Sequence, residues 1–237
     1  MGSRRGWWLA LLASFWLAVP TAVPAEEEAA APAPPVELPD TWYAQALAYA
    51  DVGINVTHFW SKGPLLRAET VVAGRRIVTI VNGDTYFAYD GLGRSGLAIG
   101  RSPAAIRQDA ERTRPFGNEM DSLLRLGAES VGRETLGGSE VEIFRITDRF
   151  GRRQVWVSLG ESRLPLQLEI FRRGSGSTST TRYLNWQRGI PISDAFFQPD
   201  AGVNLSRLGF DEYVAMQADR RSVGPVPVLY TDLLHGY

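Results

Sequence analysis

Two histidines, His58 and His235, are the only side chains in this 237-residue sequence that ordinarily titrate near neutrality, and cysteine is absent. Without cysteine there is no thiol catalysis, no Cys-ligated zinc, no disulfide framework and no lipid anchor on an N-terminal cysteine. A three-ligand zinc centre or a Ser-His-Asp triad would have to place His58 or His235 beside a suitable partner. His58 falls in a run rich in β-branched and aromatic residues, His235 lies close to the C-terminus, and no Gly-x-Ser-x-Gly elbow follows a strand. The segment Gly91-Leu92-Gly93-Arg94-Ser95-Gly96 fits the spacing of a dinucleotide fingerprint. It is followed by Leu97-Ala98-Ile99-Gly100, which reads as a strand, not as a helix whose N-terminus could hold a pyrophosphate. It therefore reads as a glycine-rich hairpin turn. Acidic residues are scattered, so spacing nominates no glycosidase pair, and a small hydrolase is the weakest reading. Neither metal nor cofactor is expected.

Charge narrows the partners. Twenty-five Lys+Arg against 26 Asp+Glu leave a net charge of −1, which gives no electrostatic footprint for nucleic acid. Lys62 is the only lysine, and the arginine doublets 75–76, 152–153, 172–173 and 220–221 fall at turn edges, where they read as solubility devices or, second, as contacts to anionic headgroups. The remaining signal is apolar: 44% of residues are hydrophobic and 11% aromatic, including Trp42, Trp60, Trp156 and Trp186.

The elements that would position these residues follow from periodicity and turn chemistry. Arg4 and Arg5 precede the apolar run Trp7 to Val19, and Val23 and Ala25 form the small-residue pattern of a cleavage site. As a helix, thirteen residues reach only about 20 Å, short of a bilayer core of about 30 Å. Residues 1–25 are therefore expected to be an export signal cleaved near Ala25, which places the mature protein in the periplasm. Residues 26–39 consist almost wholly of Glu, Ala and Pro and read as a semi-rigid tether. Asp40 then caps an expected short helix with Tyr43, Ala46, Leu47 and Ala50 on one face and Gly53 as its stop.

Short strands are expected at 54–60, 65–72, 75–81, 85–90 and 97–99, separated by tight turns that include Asn82-Gly83 in a type I′ turn. Two small helices follow, one capped by Ser102 with Pro103 at its first position, the other capped by Asn118 and ended by Gly127. Strands resume at 129–136, 140–147, 154–158, 164–172 and 177–187. Alternation along the run from Leu164 to Ile170 puts Leu164, Leu166, Leu168 and Ile170 on one face. Turns this short force antiparallel neighbours. The expected class is α+β: one long, curved antiparallel sheet that forms an unclosed half β-barrel, with short helices as its lid.

Four segments in order resemble the LolA family of periplasmic outer-membrane lipoprotein carriers. They are Gly63-Pro64-Leu65-Leu66-Arg67-Ala68-Glu69; residues 77–90 with their Asn-Gly turn and Tyr-Asp ending; residues 154–157 through Leu164-Pro165-Leu166-Gln167-Leu168-Glu169; and residues 190–203, which close on Pro199-Asp200-Ala201-Gly202-Val203. The resemblance implies the same unclosed barrel over residues 40–209, with residues 210–237 as a C-terminal extension. It also implies a non-catalytic carrier that binds acyl chains of a lipoprotein or lipid and moves them across the envelope, with an inner-membrane donor and an outer-membrane acceptor as further partners. On this reading Trp42, Trp60, Tyr86, Trp156, Leu166, Leu168 and Ile170 line the apolar cavity, and Arg67 stands where an arginine of the carriers helps hold the lid closed. A second reading is an envelope scaffold or sensor domain of the same fold whose C-terminal tail docks a protein partner.

Overall fold

The computed structural model describes residues 40–50, 53–219, 221 and 223–236. The export signal and the tether read from the sequence lie outside these residues. The described chain is built on twelve strands: β1 (Thr41–Ala50), β2 (Gly53–Lys62), β3 (Leu65–Val72), β4 (Arg75–Asn82), β5 (Thr85–Asp90), β6 (Ser95–Gly100), β7 (Glu129–Leu136), β8 (Ser139–Asp148), β9 (Gly151–Ser158), β10 (Pro165–Arg172), β11 (Ser177–Arg188) and β12 (Asn204–Leu208). They make one sheet in the order β12-β6-β5-β4-β3-β2-β1-β11-β10-β9-β8-β7. Every pair is antiparallel except β12 with β6. The ends do not meet, so the sheet is the expected open half-barrel. Four short helices accompany it: α1 (Pro103–Gln108), α2 (Glu119–Arg125), α3 (Phe210–Ala218) and α4 (Asp232–His235).

The helix expected after Asp40 is instead β1, a strand paired along its length with β2 and β11. Alanine-rich sequence favours a helix locally, by well under 1 kcal/mol per residue. Pairing on both edges supplies more, and the true period is two: Trp42, Ala44 and Ala46 are buried on one face while Tyr43, Gln45 and Leu47 point the other way. The β4–β5 turn also differs from expectation. Asn82 pairs with Thr85, so Gly83 and Asp84 form the loop, and only Gly83 has positive φ (60°), as in the II′ family.

The glycine-rich segment after β5 is a hairpin turn, as expected. Asp90 Oδ1 accepts from the backbone N–H groups of Leu92 and Gly93, both at 2.9 Å, and those bonds with Arg75 hold its pKa down to about 2. Ser102 caps α1 by accepting from Ala105 N at 3.0 Å. Asn118 does not cap α2; its side-chain amide donates instead to Arg114 O at 2.7 Å.

The inner face of the sheet carries two clusters of unequal size. The larger joins Leu66, Ile77, Val81, Tyr86, Leu97 and Ile99 to Tyr213, Val226, Leu233 and Leu234 from the C-terminal segment. That segment is tied down by side chains that donate to its carbonyls: Arg75 to Pro225 O, Tyr86 to Leu229 O, Arg101 to Leu233 O and Ser102 to His235 O. The smaller cluster consists of Leu123 and Ala128 against Phe144, Val155 and Val157, with Met120, Ile146 and Leu168 at its margin.

Candidate functional site

Between these clusters the inner face is hollow. A cavity of about 860 Å³ is floored by β1, β2, β3, β10 and β11 and roofed by residues 112–126 and 229–233. Local sequence explains the void. Where a packed half-barrel would carry Leu or Phe at its centre, β1 presents Ala46 and Ala48, and β11 presents Thr181 opposite Ala48. Small side chains on adjacent central strands cannot reach α2, and a gap too wide to close leaves its lining without partner atoms.

One end of the cavity is aromatic. Phe59 stacks on Phe116 with ring centroids 5.0 Å apart, Phe116 stacks on Trp186 at 5.5 Å, and Tyr230 meets Phe59 edge-on at 5.4 Å. The Arg114 guanidinium lies 5.0 Å from the ring centres of both Trp42 and Trp186. The other end is mainly aliphatic, formed by Leu123, Leu126, Leu168 and Ile170, with Arg125 and Arg153 also lining the cavity. Two carboxyls face the space. Glu119, the first residue of α2, accepts from the Tyr183 hydroxyl at 2.5 Å, and burial pushes its pKa up against the pull of that bond and of Arg114. Burial likewise raises Asp232, although Arg112 sits 3.7 Å away. Burial raises Tyr230 to about 12.

Of the lining residues expected from sequence, Leu168 and Ile170 border the cavity. Trp42 is on the inner face but is packed behind Trp186 and Arg114. Tyr86 is on the same face, fully buried in the larger cluster with its hydroxyl committed to Leu229 O. Trp60, Trp156 and Leu166 belong to the outer face. Trp60 stacks on His58 and meets Phe196, whereas Trp156 donates to Glu134 at 2.6 Å and shares a cluster with Leu166. The alternation expected through Leu164 to Ile170 fails because β10 carries a bulge between Pro165 and Gln167. The extra residue turns Leu166 outward while Leu168 and Ile170 stay inward.

Arg67 is also on the outer face and does not touch the helical lid. Its guanidinium bonds Glu69 at 2.8 Å, Asp200 at 3.0 Å and Phe196 O at 3.2 Å, and so pins residues 194–200 across the back of the sheet. His58 accepts or donates at 3.0 Å with the Tyr43 hydroxyl there. Among the described residues no three His, Asp or Glu side chains gather as a metal site. Sequence reasoning missed Glu119, Tyr183, Phe59 and Phe116. Glu119 reads as an ordinary first-turn acid and Tyr183 sits in a Ser/Thr-rich strand, so neither carries a local signal.

No protein-family profile matches the chain, and no curated protein does. Among solved structures, it is similar to an uncharacterized conserved protein from Thermus thermophilus, at 10% identity and a TM-score of 0.52 over 71% of this chain and 90% of that one. Weaker likenesses are to MucB from Pseudomonas aeruginosa in complex with MucA (12% identity, TM-score 0.44, 71% of this chain and 58% of that one) and to the Mycobacterium tuberculosis lipoprotein LppX (11%, 0.39, 65% and 89%). The chain thus spans less than two-thirds of MucB. At these identities the comparison speaks to fold, and the first structure carries it.

Proposed function

We propose that the protein is a non-catalytic carrier of the cell envelope that takes acyl chains of a lipid or lipoprotein into this cavity and passes its cargo on. The observation that carries the reading is the cavity itself. At about 860 Å³ it lies in the upper part of the range of roughly 300–1,000 Å³ that small-ligand sites occupy. Its aliphatic end is made by side chains from strand β10 and helix α2, with Leu168 packed at the edge of the cluster that contains Leu123.

Energetics favour exchange over permanent capture. Each methylene moved from water contributes about 0.8 kcal/mol, so a dozen contribute on the order of 10 kcal/mol. Association costs of about 4–15 kcal/mol oppose this and leave an affinity that a partner can overcome. In this reading the C-terminal segment is a wall of the site, since Leu229, Tyr230 and Leu233 face the space.

The test is native mass spectrometry with lipid extraction on protein purified from the periplasm. Acyl lipid or lipoprotein should copurify, and Leu168→Glu should abolish it while the protein still melts cooperatively, because Leu168 is only partly buried at the edge of its cluster. A clean apo mass together with no uptake of a fluorescent fatty-acyl probe would overturn the proposal.

A further inference from the structure

A site for plain hydrocarbon needs only apolar walls, yet this one contains a carboxyl with half of its bonding capacity unused. The Tyr183 hydroxyl donates to Glu119 Oε1, whereas Oε2 is buried and has no protein hydrogen-bond partner. The nearby cation does not supply one. Arg114 is stacked against two tryptophans, and its terminal nitrogen donates to Gly117 O at 2.9 Å. A buried acceptor left bare destabilises the fold, a loss that a bound molecule would recover by satisfying it.

We propose that Glu119 and Tyr183 form a polar subsite inside the cavity that selects acyl ligands carrying a hydroxyl group on the chain. The proposal rests on the reading of the cavity as an acyl site and names the ligand class within it. A hydroxyl is a neutral group that suits Oε2 in either protonation state, since it donates to a carboxylate and accepts from a carboxyl O–H. An unsubstituted chain leaves Oε2 bare.

The placement suits a group along the chain. Glu119 and Leu123 are four residues apart in α2 and share a face, and Leu168 borders the cluster that contains Leu123. A chain lying on Leu123 and Leu168 passes the carboxyl on its way toward the aromatic end. Tyr183 is held for its role by its pairing with Ala46 of β1 and by Trp186, whose ring lies 5.3 Å away.

The experiment is displacement of a fluorescent fatty-acyl probe by octadecanoate and by a positional series of monohydroxy-octadecanoates, on the wild-type protein and on Glu119→Leu and Glu119→Gln. At least one hydroxylated isomer should bind the wild type about tenfold more tightly than octadecanoate. That ratio should fall to about one in Glu119→Leu and survive in part in Glu119→Gln, whose amide can still pair with a hydroxyl. Because the readout is a ratio within one protein, a general loss of folded material does not produce it. No preference in the wild type, or a preference unchanged in Glu119→Leu, overturns the subsite. Failure of both octadecanoate and the hydroxylated series to displace the probe overturns the acyl reading itself.

Discussion

The two halves of the sheet share one curvature and differ in what covers them. From β4 to β6 the inner face is filled: Tyr86, Leu97 and Ile99 are fully buried beneath Tyr213, Leu233 and Leu234. From β3 through β1 and β11 to β10 the cover is the seven-residue α2, the loop before it and residues 229–233, and the floor includes alanine, threonine and partly buried leucine. Beyond that, β7 is exposed almost throughout. The filled half supplies stability, and the hollow half, carried on the same backbone, supplies the binding space. A long sheet is therefore able to hold a cavity at its centre without depending on that cavity for its fold.

The strongest way to break the contrast is to uncover the filled half. Deleting residues 210–237 removes the partners of Tyr86, Leu97 and Ile99 and strands the donors of Arg101 and Ser102. The expected outcome is loss of a cooperative melt, read by near-UV circular dichroism; a truncated chain that melts as the whole one does would contradict it. Next, Leu234→Ala should cost about 2–5 kcal/mol in urea titration, whereas Leu168→Ala should cost under about 1 kcal/mol because it enlarges a space already present. Equal costs would erase the distinction between the halves.

A subtler change fills the void. Ala48→Leu should reduce fatty-acyl probe uptake at least tenfold while leaving stability within about 1 kcal/mol, since the added atoms enter open space rather than a packed core. Unchanged uptake would place the probe elsewhere.

The smallest effect concerns pH, and its sign is opposite in the two halves. Glu119, in the hollow half, has its pKa raised by burial. Its contribution is fully present below the ordinary carboxylate pKa and is lost as pH rises through its raised value. Asp90, in the filled half, is held down to about 2, so its contribution is present above the ordinary value and is lost as pH falls toward 2. Urea midpoints of wild type should therefore decline relative to Glu119→Gln as pH rises from about 4 to 8. A constant difference across that range would contradict the assignment.

Much of the sheet is legible in the sequence because turn residues and period-two alternation are local. Ser102-Pro103, the glycine-rich turn after Asp90 and the strands from β3 to β6 all follow from neighbours in the chain. The site is less legible because its cause is not local. The alanines of β1 read as a helix, and those same small residues leave the hollow once β2 and β11 hold them in a strand. Which face of a strand is inner cannot be read from alternation, so sequence reasoning puts Trp60 and Trp156 on the wrong side. The single bulge in β10 moves Leu166 across the sheet while leaving Leu168 in place. Glu119 and Tyr183, 64 positions apart, meet only in the folded chain.

The measurement that bears most directly on the division between a filled and a hollow half is hydrogen exchange of the whole chain with and without a saturating fatty-acyl probe. Exchange should slow in α2, β10 and β11 and stay unchanged in β4, β5 and β6. Slowing in β4 to β6 that matches the change in β10 and β11, or binding that leaves α2 unprotected, would contradict the account.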